Sequence, residues 1–438
     1  MCIKCAKHSE HRPTSLRETF RACEEAEVPI NGSSNVNIPV LGLAEIILRL
    51  QVEASQAKYK NFRSMYSSVV GAITTDVAAM VVPLDDHMVH RGHSVFDTTT
   101  LVNGNLYELD THLDRFLDSA AKAKILPPFN RAMIREILMQ TVAAGSCKDG
   151  TLRFWLSAGR GNFELSTKNC EASLYACLLE RSPIQNISDE KVAPLKVVTS
   201  TVPIKPKMFA TMKTTNYLPN ALALREAEEK GAQAGIWLDE EGNVAEGNNL
   251  NVGFISEGEL LLPPFDSILP GCTARRLLKL VPELVKKNII PGLKGVTLAK
   301  ISLAEAKKSA EMMLLGSFVT VLPIVEWDGK PVGNGKPGRI SLALRQCLQQ
   351  CMLTAPSDLL TPVPHIPSAH STPSNASVAS SYSKMSGPAD HPSKCTVLQE
   401  PSSVLAGSEV DIKIKRQRIP EQMLPGLNRL ANYPIAGT

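Results

Sequence analysis

No apolar run in this 438-residue chain approaches the roughly 20 residues that a membrane-spanning helix requires. Charge of one sign is also lacking: 47 Lys and Arg against 43 Asp and Glu leave a net charge of +4. That is small for the length, so composition gives no reason to expect nucleic acid or a membrane as a partner. Ten cysteines are present, but they form no repeating framework. Cys2-x-x-Cys5 and Cys347-x-x-x-Cys351 are isolated pairs without a second pair at zinc-site spacing, so no metal is expected there. Reduced thiols in an intracellular protein are the simpler reading. The N-terminal stretch has no apolar signal-peptide core, and its early acidic residues (Glu10, Glu18, Glu24, Glu25) do not suit a transit peptide. An intracellular location is expected, the cytoplasm favoured and the plastid as the alternative.

What is present reads as an ordinary globular enzyme, 43% hydrophobic and 21% charged, long enough for two or three domains. Residues 1–55 read as an N-terminal extension that ends in an amphipathic stretch, "LAEIILRLQVEASQAKYK". Residues 56–182 read as a smaller α+β domain. It opens with the β-like runs "MYSSVVGAI" and "AAMVVPL", followed by a hairpin signalled by Asn103-Gly104. Leu113, Phe116, Leu117 and Ala120 share one face of an amphipathic helix, and a second helix, "RAMIREILMQTVAAG", precedes the strands "TLRFWLSAG" and "ASLYACLLE". After a polar connector, residues 190–353 read as a larger domain. Its strands lie around "AGIWLD", "NVAE", "LNVGFI" and "ELLLPP", a helix starts at Thr273, Ser302-x-x-Glu305 forms a capping box, and Asp328-Gly329 marks a hairpin. Residues 354–438 are rich in Ser and Pro and are expected to be a disordered tail, with its basic run "KIKRQR" solvated.

Lys213 lies between a strand-like stretch ("APLKVVTSTV") and a helix-like one ("ALALREAEEKGA"). A solvated lysine there would mean nothing, whereas a buried one would be a nucleophilic amine suited to Schiff-base chemistry. Downstream, Glu246 stands at the end of a short strand, followed by Gly247 and three asparagines in the next five positions. Further on, Pro270-Gly271-Cys272-Thr273 leads into a helix, whose free N–H groups and dipole favour an anion. An amine, a carboxylate and a phosphate cradle are the inventory of a pyridoxal phosphate enzyme. Each alone has a plainer meaning as a solvated lysine, a turn or a cap.

In this order and spacing, "MKTTNYLPNALALREAEEKGAQAGIWLDEEGNVAEGNNLNV" followed by "ILPGCTARRLL" resembles the fold-type-IV, or class IV, pyridoxal phosphate enzymes. "RGHSVFDTTTLVNGNLYELDTHLDRF" and "LLGSFVTVLPIVEWDGKPVGNGKPG" fit the same pattern. The resemblance covers about residues 60 to 350, and the plant D-amino-acid-aminotransferase-like branch is the most similar. It implies a two-domain α+β / α/β fold and pyridoxal 5′-phosphate as cofactor. It also implies roles for individual residues. Lys213 would bond the cofactor and shuttle the proton. Glu246 would sit on the pyridine nitrogen, and Tyr217 would approach the ring hydroxyl. Arg115 would clamp the phosphate, with the Cys272 and Thr273 amides, the Thr273 hydroxyl and Ser317 close by; Asn251 falls within the same cofactor-binding set. Phe96 and Arg153 would face the substrate. The plainer reading of Arg115 is an exposed helical arginine paired with Asp114 or Asp118.

The Arg-x-His pair with which bacterial D-amino acid transaminases hold the substrate carboxylate is absent from the matching "RFWLSAGRGNF". The expected activity is transamination from a small amino acid, D-amino acids favoured, to a 2-oxo acid. The alternatives are a 4-amino-4-deoxychorismate lyase, a branched-chain L-amino acid aminotransferase, and a catalytically silent interaction protein. The resemblance also implies a homodimer. His87, His90 and His93, beside Asp85 and Asp86, suggest a metal by spacing, but they precede a glycine and a β-rich run, and no metal is expected.

Overall fold

The computed structural model describes residues 38–183 and 194–364. Cys2, Cys5, the "KIKRQR" run and most of the Ser/Pro-rich segment lie outside these residues. Strands β1 (Phe62–Ser67), β2 (Ala72–Thr74), β3 (Ser94–Val102), β4 (Asn105–Tyr107), β5 (Gly150–Arg160) and β6 (Glu171–Glu180) belong to one sheet. A second, mixed sheet holds β7 (Leu195–Thr199), β8 (Ala234–Leu238), β9 (Val244–Gly247), β10 (Asn251–Ser256), β11 (Glu259–Leu262), β12 (Gly295–Leu298), β13 (Glu311–Gly316), β14 (Thr320–Trp327) and β15 (Lys330–Pro331). The last strand, β16 (Leu360–Pro362), returns to the first sheet, whose order is β16-β4-β3-β5-β6-β1-β2. The second sheet runs β12-β11-β10-β13-β14-β7-β8-β9, with β15 beside β14.

Turn chemistry sets the β3–β4 hairpin. Asn103 and Gly104 have φ of 48° and 78°, the pair of positive values that a tight hairpin matching the strand twist demands. Helix Leu109–Lys122 then folds onto this sheet, because Leu109, Leu113, Phe116 and Ala120 recur every three or four residues and are all fully buried. Phe116 meets Phe154 of β5 edge-to-face with ring centres 4.8 Å apart. Each large side chain buried there contributes about 1.5–3 kcal/mol. A second core, around Phe254, Met312, Leu314 and Trp327, lies in the other sheet.

Two expectations are corrected. "AAMVVPL" is not a strand: the Asp76 side chain accepts the Ala78 N–H at 2.9 Å and caps a short 3-10 turn, Val77–Ala79, instead. Within the segment assigned as a disordered tail from residue 354, Leu360–Pro362 is a strand paired antiparallel with β4, and the Val363 N–H donates to the Gly104 carbonyl. Composition concealed this strand, since the unpaired edge of β4 supplies the partner that the local sequence does not announce.

Candidate active site

The segment after β7 crosses to the first sheet and is held there by its backbone. The Phe96 N–H donates to the Lys213 carbonyl at 2.9 Å, the Thr215 N–H to the Ser94 carbonyl at 3.0 Å, and the Lys213 N–H to Ser119 Oγ at 3.2 Å. Lys213 is thereby fixed at its backbone while its side chain, half-buried, enters a cavity of about 210 Å³. Its Nζ lies 3.3 Å from the Tyr217 hydroxyl and 4.7 Å from the centre of the Phe96 ring. Phe96 and Tyr217 meet edge-to-face at 5.2 Å, so one wall of the cavity is aromatic.

Glu246 approaches from the other side, near the end of β9. It is only 6% exposed, and burial pushes its carboxyl up to about 7, against the opposing pull of the Lys205 and Lys213 cations. Behind it, the Asn251 amide donates to the Leu269 carbonyl at 3.0 Å and shapes the turn into helix Cys272–Lys286. A Cβ on Gly271 would fall 1.7 Å from Asn251 Oδ1, so only glycine permits this approach. No side chain caps the helix that starts there. The Cys272 and Thr273 amides therefore open towards the cavity, where the helix dipole adds partial positive charge.

Arg115 lies beside this helix end. It is buried, not exposed, and its partner is neither Asp114 nor Asp118, which pair with Arg131 and Lys122 respectively. Its Nε and Nη2 donate to Asp97 Oδ2 and Oδ1 at 2.8 and 2.7 Å, a bidentate pair, and its Nη1 faces the Pro270 carbonyl at 3.4 Å. His112 Nδ1 stands 2.8 Å from Asp97 Oδ1 and 3.7 Å from Cys272 Sγ. Burial alone would disfavour a charged imidazole, but Cys272 and Asp97 outweigh it and push His112 up to about 9. Burial likewise raises the Asp97 carboxyl, yet Arg115 and His112 prevail and hold it well below the usual carboxylate range. Two cations on one carboxylate leave the cluster a net positive charge beside an uncapped helix terminus. That is the electrostatics of a dianion site.

All ten residues singled out in the sequence line this one cavity. Arg153, though exposed, places its guanidinium 5.9 Å from the Phe96 ring centre, at the rim. Ser317 sits between β13 and β14, and its carbonyl accepts a hydrogen bond from Thr100 Oγ1 at 3.4 Å. The three histidines are elsewhere. His87 and His93 are tied to the Glu164 and Ala123 carbonyls, and His90 packs on the Phe163 ring. Among the described residues no group of three His, Cys, Asp or Glu side chains is placed to hold a metal ion.

Sequence reasoning missed Asp97, His112 and Lys205. His112-x-x-Arg115 spacing puts both side chains on one helical face, and that signal was available. The alternation on β3, with Phe96 and Thr98 towards the cavity and Asp97 towards the helix, could be read only once the helix that covers it was known.

Known proteins resemble this chain in sequence and in fold. The amino-transferase class IV family matches residues 94–327, just over half of the chain. The chloroplastic D-amino-acid transaminase of Arabidopsis thaliana is 47% identical over 357 residues, which cover 81% of this chain and 91% of that protein. A D-alanine aminotransferase of Listeria monocytogenes is 27% identical over 277 residues, 60% of this chain and 89% of the relative. Among solved structures, the branched-chain amino acid aminotransferase of Thermobaculum terrenum in its PLP-bound holo form has a TM-score of 0.60 at 21% identity, covering 70% of this chain and 99% of that one. Its counterpart from Thermoproteus uzoniensis with norvaline has a TM-score of 0.60 at 22% identity, with coverage of 69% and 99%. At such identities these two structures speak for the fold, while the family match and the plant relative speak for kinship. This chain belongs to the class IV aminotransferases and is an enzyme of that type.

Proposed function

We propose that this enzyme uses pyridoxal 5′-phosphate to move an amino group from an amino acid, D-amino acids favoured, to a 2-oxo acid. The observation that carries this reading is the convergence on one cavity of the Lys213 amine, the Glu246 carboxyl and the Arg115–Cys272–Thr273 anion cradle. These residues fit the cofactor: the buried Glu246 carboxyl suits a ring nitrogen, and the glycine-tight, uncapped helix end suits a phosphate. The preference for D-amino acids rests on the 47% identity to a protein named as a D-amino-acid transaminase.

When bound, pyridoxal phosphate supplies an aldehyde for an amine and a ring that withdraws electrons from the substrate's Cα. Arg115, kept in orientation by Asp97, grips the phosphate together with the Thr273 hydroxyl and the helix amides. Glu246 holds a positive charge at the ring nitrogen. Lys213 Nζ takes and returns the proton at the substrate's Cα, and Tyr217 keeps the amine in place between turnovers. Phe96 excludes water from this face, and Arg153 meets the substrate carboxylate at the rim. Two copies of the chain are expected to associate, and sedimentation of the purified protein checks this. A plastid location takes precedence over the cytoplasm, given that the plant relative is named as chloroplastic.

The test is a panel of D- and L-amino acids with pyruvate and with 2-oxoglutarate, run beside 4-amino-4-deoxychorismate. D-amino acids are expected to be consumed with stoichiometric appearance of the new amino acid. Turnover of branched-chain L-amino acids alone, or release of pyruvate from the aminodeoxychorismate alone, would replace this reading with the corresponding alternative. Glu246→Gln preserves shape and removes charge. Losing a charge-assisted hydrogen bond of about 1.5–3 kcal/mol predicts a turnover roughly 10- to 150-fold slower with cofactor still bound. Wild-type turnover in that variant would remove Glu246 from its role.

A further inference from the structure

Three of the side chains that line the cavity are exposed: Arg153, Asn249 and Phe318. They mark its mouth, since Lys213 is half-buried and Glu246, Arg115 and Thr273 are buried. Of the three, Phe318 alone is apolar, and it is 40% exposed. It stands on the turn between β13 and β14, next to Ser317. That turn is fastened to the first sheet at two points. Thr100 Oγ1 donates to the Ser317 carbonyl at 3.4 Å, and the Arg181 guanidinium lies 4.7 Å from the centre of the Phe318 ring. Arg181, one residue past the end of β6, is itself held: its Nε donates to Thr151 Oγ1 at 2.8 Å and its backbone N–H to the Asp149 carbonyl at 3.1 Å.

Strand register brings this anchor to the rim. Thr98 of β3 pairs with Arg153 of β5, and Thr100 pairs with Thr151. Residues two apart on a strand share a face, so Thr151, which holds Arg181, stands on the same face as Arg153. The cation that meets the substrate carboxylate and the aromatic ring are therefore neighbours at one opening. We propose that Phe318 is a specificity-determining residue whose ring covers the apolar side chain of the substrate, and that Arg181 is a positioning residue that holds the ring there. The inference rests on the reading of the cavity as a transaminase site. A large apolar ring left partly in water gains when an apolar chain lies against it, and a short chain that does not reach it gains nothing. A guanidinium beside the ring fixes its place through the charge it presents to the aromatic face.

The experiment compares norleucine with alanine, in the enantiomer that wild type consumes, for wild type, Phe318→Ala, Phe318→Tyr, Arg181→Met and Arg181→Lys. The quantity read is the ratio of the two kcat/KM values, which a general loosening of the fold does not move. In Phe318→Ala the ratio is expected to fall about tenfold, the low end of what one apolar contact in a pocket decides, with the loss in KM. Phe318→Tyr keeps the ring and should keep the ratio. Arg181→Met should lower the ratio about 2- to 5-fold, the worth of an exposed cation–aromatic contact, and Arg181→Lys should stay closer to wild type. Calorimetric titration of the pyridoxal phosphate-loaded proteins with hexanoate and propionate, which cannot react, repeats the comparison without turnover. An unmoved ratio in Phe318→Ala would overturn the proposal. So would a ratio that rises, since that pattern belongs to a ring that blocks long side chains. If wild type consumes neither enantiomer of any amino acid, the functional reading falls, while an equal preference for hexanoate in wild type and Phe318→Ala would still overturn the role of Phe318 by itself.

Discussion

Lys213→Ala is expected to abolish transamination while the protein stays folded. The side chain is half-buried in a cavity and its polar contact is one 3.3 Å hydrogen bond to Tyr217, so the deletion leaves little uncompensated in the fold. Its chemical loss is large. A positioned acid–base group alone contributes about 10²- to 10⁴-fold, and the variant loses the covalent role as well. Borohydride treatment of the wild-type protein with pyridoxal phosphate should fix the cofactor to the peptide that contains Lys213. Because Lys205 opens on the same cavity, the peptide map discriminates between the two amines. A label on Lys205, or an alanine variant that still turns over, would refute the assignment of the nucleophile.

Asp97→Ala is expected to have the largest effect on stability, and it touches neither catalytic group. Asp97 is fully buried and is the carboxylate on which both Arg115 and His112 converge. Its removal strands a buried guanidinium beside an imidazole, and breaking a buried ion pair from one side costs about 3–5 kcal/mol. The phosphate-side affinity for the cofactor should fall too, because Arg115 loses the bidentate contact that aims it. A pH signature accompanies this. His112 is raised from 6.5 to about 9 in the folded protein, so its contribution is fully present below pH 6.5 and is lost as pH rises through about 9. The wild-type melting temperature should therefore decline over that window, and the decline should become shallower in Asp97→Ala, where the imidazole keeps Cys272 but loses the carboxylate. A variant that melts within a degree of wild type at pH 6 would show that the cluster contributes no net stability.

Much of the architecture was legible before any coordinates. Asn103-Gly104 and Asp328-Gly329 both turn with positive φ at their two positions, and Ser302 and Glu305 make the reciprocal cap that their spacing announced. The helix over Leu113, Phe116 and Ala120 buries the face its periodicity marked. These features depend on residues within a few positions of one another. β16 did not belong to this class: its three residues carry no strong pattern and become a strand because β4, far earlier in the chain, offers an open edge.

The site divides along the same line. By itself the sequence determined which residue types were available, an amine at Lys213, a carboxylate at Glu246 and an open helix end at Cys272–Thr273, since each follows from a residue and its immediate neighbours. Only the tertiary structure decided that Arg115 is buried on Asp97 and not paired with its helical neighbours, that Lys205 shares the cavity with Lys213, and that burial shifts Glu246 upward. Ion pairing and desolvation depend on distance and on the exclusion of water, and both come from packing between segments far apart in the chain.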